Sequence, residues 1–288
     1  MAEPMDTSHI LHPSSQGHAL ASAGWLDAHF DCKRPEYELI LRSVGIRRGW
    51  HVLDAGAGSG SFLRVISEEV GPTGRITALD LAPENVEVIE QRLADVPLEC
   101  PVETQQGDLM SLPFPDDLFD AAWCANTTQY LNDDELTAAI GEMCRVVRPG
   151  GLVAIKEVSV TTWNFTPGDP ARMWRLLDAV QDTDAQVHGL MRVPELATYL
   201  KRGGLQDVSQ RMVPVERRQP LRASERQFIG EIIGWVARKA EGTALPEADR
   251  AYWKSMIDAQ SPEHPMNAED FYHYEVQFLA VGRVPIDA

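Results

Sequence analysis

The sequence predicts an α/β protein built on a doubly wound, seven-stranded, mostly parallel sheet with helical insertions. Two observations predict this fold. Short apolar segments of strand character alternate along the chain with segments whose apolar residues recur at helical spacing. A glycine-rich turn at residues 56–60 joins the first of these strands to a helix. Strands that alternate with helices in this way form a parallel sheet with helices on both faces.

The chain has 288 residues, which suits one large domain. We expect residues 1–16 to be a flexible tail and residues 17–288 to form the domain. The sequence contains 26 Lys and Arg against 43 Asp and Glu, so its formal net charge is -17. Because such a surface repels a phosphate backbone, we expect no nucleic-acid partner.

The cysteines and the apolar segments indicate the cellular compartment in which we expect the protein. No two of the four cysteines are spaced like a metal knuckle or a redox pair, which fits free thiols in a reducing cytoplasm. Residues 1–16 contain no basic lead into an apolar run, unlike a signal peptide. No uncharged apolar run is long enough to cross a bilayer, so we expect no membrane association. The sequence leaves open whether the chain is a monomer or a homodimer.

The elements up to the fifth strand are predicted in order. Two helices come first, at residues 19–30 and 35–44. Five strands follow, at residues 51–54, 75–80, 102–106, 119–124 and 152–157. The strongest helix signal precedes the fifth strand, where apolar residues recur at offsets 0, 4, 7 and 11 from Leu136. Asp133 stands where it would cap the start of this helix.

The alternation of strands and helices is interrupted after the fifth strand. A helix is predicted behind Asp169-Pro170, another at residues 194–202, and a strand at 205–215. Residues 217–270 are predicted to be mainly helical, and residues 274–282 to form the last strand. We expect the interruptions at 160–192 and 217–270 to be helical lids over the crevice at the carboxyl ends of the strands, and to bind the acceptor.

The spacing of the glycine-rich turn distinguishes two classes of ligand. The dinucleotide fingerprint GxGxxG, counted from Gly56, would place its last small residue at Ser61. The third glycine instead stands one residue early, at Gly60, and Asp54 precedes the first glycine by two residues. This turn therefore argues against a nicotinamide cofactor.

Residues 52–60, Val-Leu-Asp-Ala-Gly-Ala-Gly-Ser-Gly, resemble the first motif of class I methyltransferases that use S-adenosylmethionine (SAM). The later motifs of the family follow in register: Ala78-Leu79-Asp80-Leu81, Gly107-Asp108-Leu109, Phe119-Asp120-Ala121-Ala122 and Arg145-Val146-Val147-Arg148-Pro149-Gly150-Gly151. The chain is most similar to the ubiquinone/menaquinone-biosynthesis-like branch, which acts on small molecules, and the similarity covers residues 45–157. It implies a Rossmann-like fold, SAM as cofactor, S-adenosylhomocysteine as product and a small-molecule acceptor.

The resemblance also implies a set of cofactor-binding residues. These are Asp54, Gly56, Gly58, Gly60, Asp80, Leu81, Asp108, Leu109 and Asn126. In the family, the acid at the position of Asp80 binds the ribose and the acid at the position of Asp108 contacts the adenine amino group. Asp54 would order the loop and reach SAM only indirectly. The alternatives are that Asp80 merely caps the next turn and that Asp108 is an acid of a surface loop.

The methyl group of SAM is already activated, so the resemblance implies direct in-line transfer governed by positioning. A base is needed only if the acceptor keeps a proton. The candidates are Glu157 at the end of the fifth strand, Tyr130 after the fourth and His188 in the first insertion. Each has an alternative: a solvated strand-end acid, a tyrosine packed under the helix, and a surface histidine. No cluster has metal-ligand spacing, so no metal is expected.

The function predicted is methyl transfer to a small molecule in the biosynthesis of a specialised metabolite. Two alternatives remain open. One is an enzyme of the same fold that binds SAM without transferring its methyl group, such as a cyclase or pericyclase. The other is a non-catalytic, SAM-binding regulatory subunit. The sequence does not identify the acceptor, nor whether oxygen, nitrogen or carbon is methylated.

Overall fold

The computed structural model describes residues 23–262 and 264–286. The predicted tail, residues 1–16, lies outside the described residues. The helices are α1 Ala23–Arg42, α2 Leu63–Val70, α3 Pro83–Asp95, α4 Asp133–Val146, α5 Pro170–Val180, α6 Ala185–Met191, α7 Leu196–Arg202, α8 Ala223–Lys239 and α9 Glu247–Lys254. The strands are β1 His51–Ala55, β2 Arg75–Asp80, β3 Val102–Gln106, β4 Phe119–Ala125, β5 Val147–Thr166, β6 Gln206–Arg218 and β7 Tyr272–Arg283.

Within these residues, seven strands form one sheet in the order β3-β2-β1-β4-β5-β7-β6. Strands β1 to β5 run parallel to one another. Strand β7 is antiparallel to both of its neighbours, β5 and β6. The predicted fold class is confirmed. Because the parallel strands end at the same edge of the sheet, the turns after β1, β2, β3 and β4 meet there.

Apolar clusters pack on both faces of the sheet and beside it. One face is covered by α4 and α7, and the other by α1, α2 and α3. A further cluster joins the far half of β5 to α5, α6, α8 and α9. None of the described helices combines the length and apolar character needed to cross a membrane.

The prediction of two separate helices before β1 is wrong, because α1 is continuous and contains Pro35. A proline inside a helix removes a backbone donor and disturbs the hydrogen bonds of the preceding turn. Here the guanidinium of Arg217, on β6, supplies donors instead. Its Nε donates to the carbonyl oxygen of Cys32 at 2.9 Å, and its Nη2 pairs with Glu36 at 2.8 Å. A contact from a distant strand therefore accommodates the proline, and the local sequence does not reveal it.

Strand β5 is much longer than predicted. The prediction ended it at Glu157, whereas it continues to Thr166 and pairs with β7 as far as Thr166↔Tyr272. Residues 160–166 of the first predicted insertion are therefore strand. The remainder of that insertion is helical as expected, and Asp169 caps α5 by accepting from the amide of Ala171 at 3.0 Å.

The start of α4 also differs from the prediction. The capping residue is Asn132 and not Asp133, which is the first residue of the helix. The Asn132 side chain accepts from the amide of Glu135 at 2.9 Å, and the Glu135 carboxylate accepts from the amide of Asn132 at 2.8 Å. This reciprocal pair satisfies two backbone donors that the helix itself leaves unpaired.

We predict that Asn132→Ala lowers the free energy of unfolding by about 1 kcal/mol, the usual cost of losing a helix cap. Chemical denaturation followed by circular dichroism would measure it. Asp134→Ala, in the same exposed first turn, is the matched control and should change the free energy by a few tenths of a kcal/mol, about the value of a dipole interaction. Equal effects of the two substitutions would contradict the capping role.

Candidate active site

A cavity lies at the carboxyl ends of β1, β2, β3 and β4, and it measures about 1120 Å³ with its open mouth included. Four parts of the chain line it: α1, the glycine-rich turn after β1, the segments that follow β2 and β3, and the turn that follows β4. Seven predicted cofactor-binding residues lie on its wall: Gly56, Gly58, Asp80, Leu81, Asp108, Leu109 and Asn126. The sheet thus brings together residues that are far apart in the sequence.

The glycine-rich turn depends on glycine for both conformation and space. Gly56 and Gly58 have φ angles of 80° and 54°, which disfavour residues with a β-carbon. A β-carbon on Gly56 would lie 2.5 Å from Thr127 Oγ1, and one on Gly58 would lie 3.1 Å from Leu26 Cδ1. The backbone of this turn therefore closely approaches both the turn after β4 and the helix α1.

Asp80 holds the glycine-rich turn from the end of β2. One carboxylate oxygen accepts from the amide of Gly58 at 2.7 Å. The other accepts from the amide of Ala82 and from Asn85 Nδ2, both at 3.0 Å. Burial raises the pKa of Asp80, although these hydrogen bonds oppose the shift. The carboxylate is thus ordered at the wall of the cavity, and it caps the following turn as well as lining the site.

The other predicted cofactor-binding residues divide between the wall and the layer behind it. Asp108 is half-buried on the wall and accepts from the amide of Met110 at 2.9 Å. Gly60 does not line the cavity, and a β-carbon there would lie 2.9 Å from Leu63 Cδ1, so this glycine lets α2 pack closely. Asp54 is buried behind the wall, and its Oδ2 has no hydrogen-bond partner among the described residues.

The turn after β4 lines the cavity and is held by several side chains. Asn126 has a φ of 56°, a left-handed conformation in which asparagine is tolerated. Its side-chain oxygen accepts from Lys156 Nζ, and its backbone oxygen accepts from Gln129 Nε2 at 2.9 Å. The buried guanidinium of Arg192 donates to the carbonyl oxygens of Thr128 and Leu131 at 2.7 and 2.6 Å. These contacts fix the turn in one conformation.

The three predicted catalytic residues have different positions. Tyr130 lines the cavity, and burial raises its pKa. Glu157 is fully buried behind the lining residues; its Oε1 accepts from Thr128 Oγ1 at 3.0 Å and from the amide of Gln129 at 3.2 Å. His188 is exposed on α6, with Nε2 3.7 Å from Asp133 Oδ1. The structure therefore brings only Tyr130 to the cavity, while Glu157 supports the turn that carries it.

Helix α1 supplies a wall of the cavity that the sequence analysis did not include in the site. Its lining residues are Trp25, Leu26, His29, Phe30 and Tyr37. The predicted lids lie elsewhere: no described lining residue falls in 160–192 or 217–270. Helix α6 packs instead against the turn after β4, and α8 packs against α1. The sequence does contain a pattern that could have indicated this wall. The polar residues His29, Lys33 and Tyr37 recur at four-residue spacing on one face of a helix that is otherwise apolar there.

The first turns of α1 are fastened to the glycine-rich turn by charged contacts. Nη1 and Nη2 of the Arg92 guanidinium contact the carboxylate of Asp27, at 2.9 and 2.5 Å. Arg92 also donates to the backbone oxygen of Ser59 at 2.9 Å, and Ser59 Oγ donates to Asp27 at 3.0 Å. This bidentate contact joins α1, α3 and the glycine-rich turn at one point.

Residues 52–151 match the family model described as "Methyltransferase domain". Over 127 residues the chain is 34% identical to demethylmenaquinone methyltransferase of Staphylococcus aureus (strain JH9), an alignment that covers 43% of this chain and 49% of that protein. The chain thus spans about half the length of the curated relatives it matches. These findings confirm the resemblance to class I SAM-dependent methyltransferases of the ubiquinone and menaquinone type.

Solved structures agree on the fold. A SAM-dependent methyltransferase from Aquifex aeolicus superposes with a TM-score of 0.52 at 23% identity, covering 67% of this chain and 93% of that chain. Phosphoethanolamine N-methyltransferase 2 from Haemonchus contortus, solved with S-adenosyl-L-methionine, superposes with a TM-score of 0.55 at 16% identity, covering 92% of this chain and 58% of that chain. At such identities the likeness concerns the fold alone.

We predict that Asp27→Asn loosens the beginning of α1, because the variant loses the charge that both Arg92 nitrogens contact. Hydrogen exchange of peptides from residues 23–30 should become faster, while exchange in β1 and β4 stays unchanged. The matched control is Asp31→Asn, on the same helix, since Asp31 pairs only with Arg34 at the exposed surface in the described contacts. If the control accelerates exchange as much as Asp27→Asn, the contact with Arg92 is not what fastens the helix.

A second prediction concerns Asp54. Burial, with a smaller contribution from the charge of Asp80, raises its pKa to about 8 from 3.8. The stability that this raised pKa provides is fully present below about pH 4 and is lost as the pH rises towards 8, at up to about 1.4 kcal/mol per pH unit. Asp54→Asn cannot ionise. We therefore expect the free energy of unfolding of this variant, measured by urea titration, to rise relative to that of the wild type as the pH increases from 5 to 7. Parallel pH dependences would contradict the raised pKa.

Proposed function

We propose that this protein transfers a methyl group from SAM to a small-molecule acceptor. The observation that carries the proposal is the composition of one cavity. Its glycine-rich turn, Asp80 and Asp108 correspond to the positions that bind SAM in the resembling family, and the aromatic face of α1 lines the same cavity. A cofactor end and an apolar end in one cleft are what a two-substrate transfer requires.

The residues on the wall fit the chemistry of SAM. Oδ2 of Asp80 would accept a hydrogen bond from a ribose hydroxyl, since it keeps one lone pair beside the amide of Gly58. Asp108 would accept from the adenine amino group, and Leu81 and Leu109 would pack against the apolar faces of the purine. Gly56 and Gly58 would let the backbone approach the amino-acid end, with Asn126 beside it. Gly60 and Asp54 would act from behind the wall, through the conformation of the turn.

The bound cofactor would supply a methyl group already activated on a sulfonium sulfur. The protein's own task is then to hold the acceptor in line and to exclude water, which can contribute about 7–11 kcal/mol. The α1 wall suits this task, because Trp25, Phe30 and Tyr37 offer large apolar surfaces of low flexibility.

The acceptor that we propose is a small ring-bearing molecule from a biosynthetic pathway of specialised metabolism. The aromatic wall supports a flat, apolar acceptor, and the relative from Staphylococcus aureus is by its name a methyltransferase of demethylmenaquinone. The net charge of -17 disfavours a polyanionic acceptor such as a nucleic acid. Cys32, Cys100, Cys124 and Cys144 are free thiols, which supports a cytoplasmic location.

We predict that Asp80→Asn raises the dissociation constant for SAM at least about tenfold. The substitution keeps the size of the side chain but replaces charged acceptors of hydrogen bonds with one neutral oxygen, and charged hydrogen bonds contribute roughly 1.5–3 kcal/mol each. Isothermal titration calorimetry would measure the constant. Asp116→Asn, an acid outside the cavity that pairs with Arg145, should bind SAM like the wild type.

The activity itself is tested by incubating the wild type with SAM and a panel of hydroxylated aromatic compounds and measuring S-adenosylhomocysteine. Methyl transfer requires its formation in proportion to product. Product formed with SAM unconsumed would favour the cyclase or pericyclase alternative. SAM binding with no turnover of any compound would favour a regulatory subunit.

A further inference from the structure

Three polar residues on one face of α1 connect the cavity to a buried ion pair. His29, Lys33 and Tyr37 follow one another at four-residue spacing, and His29 and Tyr37 line the cavity. Lys33 lies behind them, with Nζ 2.5 Å from the carboxylate of Glu275 on β7. Its side chain and that of Glu275 are 2% and 1% exposed, so the pair is shielded from water. Polar groups this deeply buried carry a large energetic cost unless they are paired.

The hydrogen bonds of His29 define which ring nitrogen accepts. Tyr37 Oη lies 2.7 Å from His29 Nε2, and Lys33 Nζ lies 3.4 Å from the same nitrogen. An ammonium group can only donate, so Nε2 is the nitrogen without a proton, and the hydroxyl of Tyr37 donates to it. The side chain of Asn126 is also hydrogen-bonded to Tyr37, which leaves one lone pair of Oη for an acceptor.

Aromatic packing fixes the imidazole in this position. The ring of Phe228, on α8, stacks on His29 at a centroid distance of 4.7 Å and an interplanar angle of 5°. Trp25 packs against the same imidazole at 5.0 Å. The ring therefore has little freedom to turn away from Tyr37.

Burial and the surrounding charges keep both His29 and Tyr37 neutral. Burial lowers the pKa of His29, Lys33 on α1 and Lys156 on β5 lower it further, and Glu275 on β7 opposes them. Burial and the charge of Glu275 raise the pKa of Tyr37, and a hydrogen bond with Asn126 opposes this shift. Lys156 Nζ lies 3.7 Å from the centroid of the Tyr37 ring. At neutral pH the pair is thus a free imidazole that accepts from an intact phenol.

We propose that Tyr37 and His29 form a proton relay that removes the proton of an un-ionised hydroxyl on an aromatic acceptor. The inference rests on the proposed function and assigns to α1 the base role for which the sequence offered Glu157, Tyr130 and His188. Glu157 lies behind the wall, whereas Tyr37 and His29 lie on it.

The proposed step conserves atoms and charge. The acceptor oxygen forms a bond to the methyl carbon as the carbon–sulfur bond breaks, and the electron pair of that bond stays on sulfur. The hydroxyl proton of the acceptor passes to Tyr37 Oη, while the proton of Tyr37 passes to His29 Nε2. The relay ends as an imidazolium and an intact phenol, and the imidazolium returns its proton to solvent when the product leaves. No oxidant, metal or further reactant is required.

The test compares two probes of similar shape and different acidity, 4-methylphenol and 4-nitrophenol, at pH 8 with saturating SAM. The first keeps its proton there, as a phenol with a pKa near 10 does. The second is largely ionised because its nitro group withdraws electrons. The variant is His29→Gln, which can still accept a hydrogen bond from Tyr37 but is not basic. The matched control is His51→Gln, a histidine on β1 outside the cavity.

We expect His29→Gln to lower kcat for 4-methylphenol by about 10²–10⁴-fold, the usual contribution of general-base catalysis. For 4-nitrophenol the change should stay within about threefold. Calorimetric binding of 4-methylphenol to the complex with S-adenosylhomocysteine should also stay within about threefold of the wild type. Tyr37→Phe should show the same dependence on acceptor acidity, and His51→Gln should match the wild type with both probes.

Equal losses with the two phenols would overturn the relay, since a purely structural role does not depend on acceptor acidity. Full activity of His29→Gln with 4-methylphenol would overturn it as well. A wild type that binds SAM but methylates neither probe would refute this inference and leave the proposed function standing. A wild type that does not bind SAM would refute the proposed function.

Discussion

The ion pair between Lys33 and Glu275 is the contact on which the architecture of the site depends. It joins α1 to β7, the antiparallel strand in the sheet, and it lies where water cannot screen it. Burial alone would raise the pKa of Glu275, but the adjacent ammonium of Lys33 lowers it well below its usual value, so the carboxylate stays charged. Removing one partner of such a pair typically costs about 3–5 kcal/mol, because the other charge is left unpaired. The position of α1 over the strand ends is therefore determined by a contact deep in the protein.

The cavity combines two parts with different origins. The part that we propose binds the cofactor is built from turns that directly follow parallel strands, so the sheet brings them to one edge. Its other part is the wall formed by α1, which precedes the sheet in sequence and is held by side-chain contacts with β6, β7 and α8. Arg92 joins the two parts through Asp27 and Ser59. Under the function that we propose, the cofactor-binding part would stay constant while the α1 wall determines which acceptor fits.

The sequence predicted the features that depend on local pattern. The parallel strands, the glycine-rich turn and the acid at the end of β2 follow from periodicity, spacing and motif order. It did not predict features that depend on distant partners. Arg217 accommodates Pro35 within α1, and β7 pairs with the extension of β5 beyond Glu157. The wall formed by α1 was missed although its polar residues recur at four-residue spacing, because that spacing does not say which part of the sheet they face.

The long β5 strand gives the molecule a mechanical property. Its first half lies between β4 and β7 in the centre of the sheet, and its second half carries Val160, Trp163 and Phe165 into the apolar cluster with α5 and α8. One continuous backbone segment thus belongs to both layers. Strand β5 pairs with β7 on both sides of an irregularity between Ser159 and Asn164, so the same segment contacts the sheet and the outer helices. Phe228, in that same cluster, stacks on His29. Substitutions in the remote helical layer can therefore tune the geometry of the site without touching a ligand, which makes this layer a target for directed evolution.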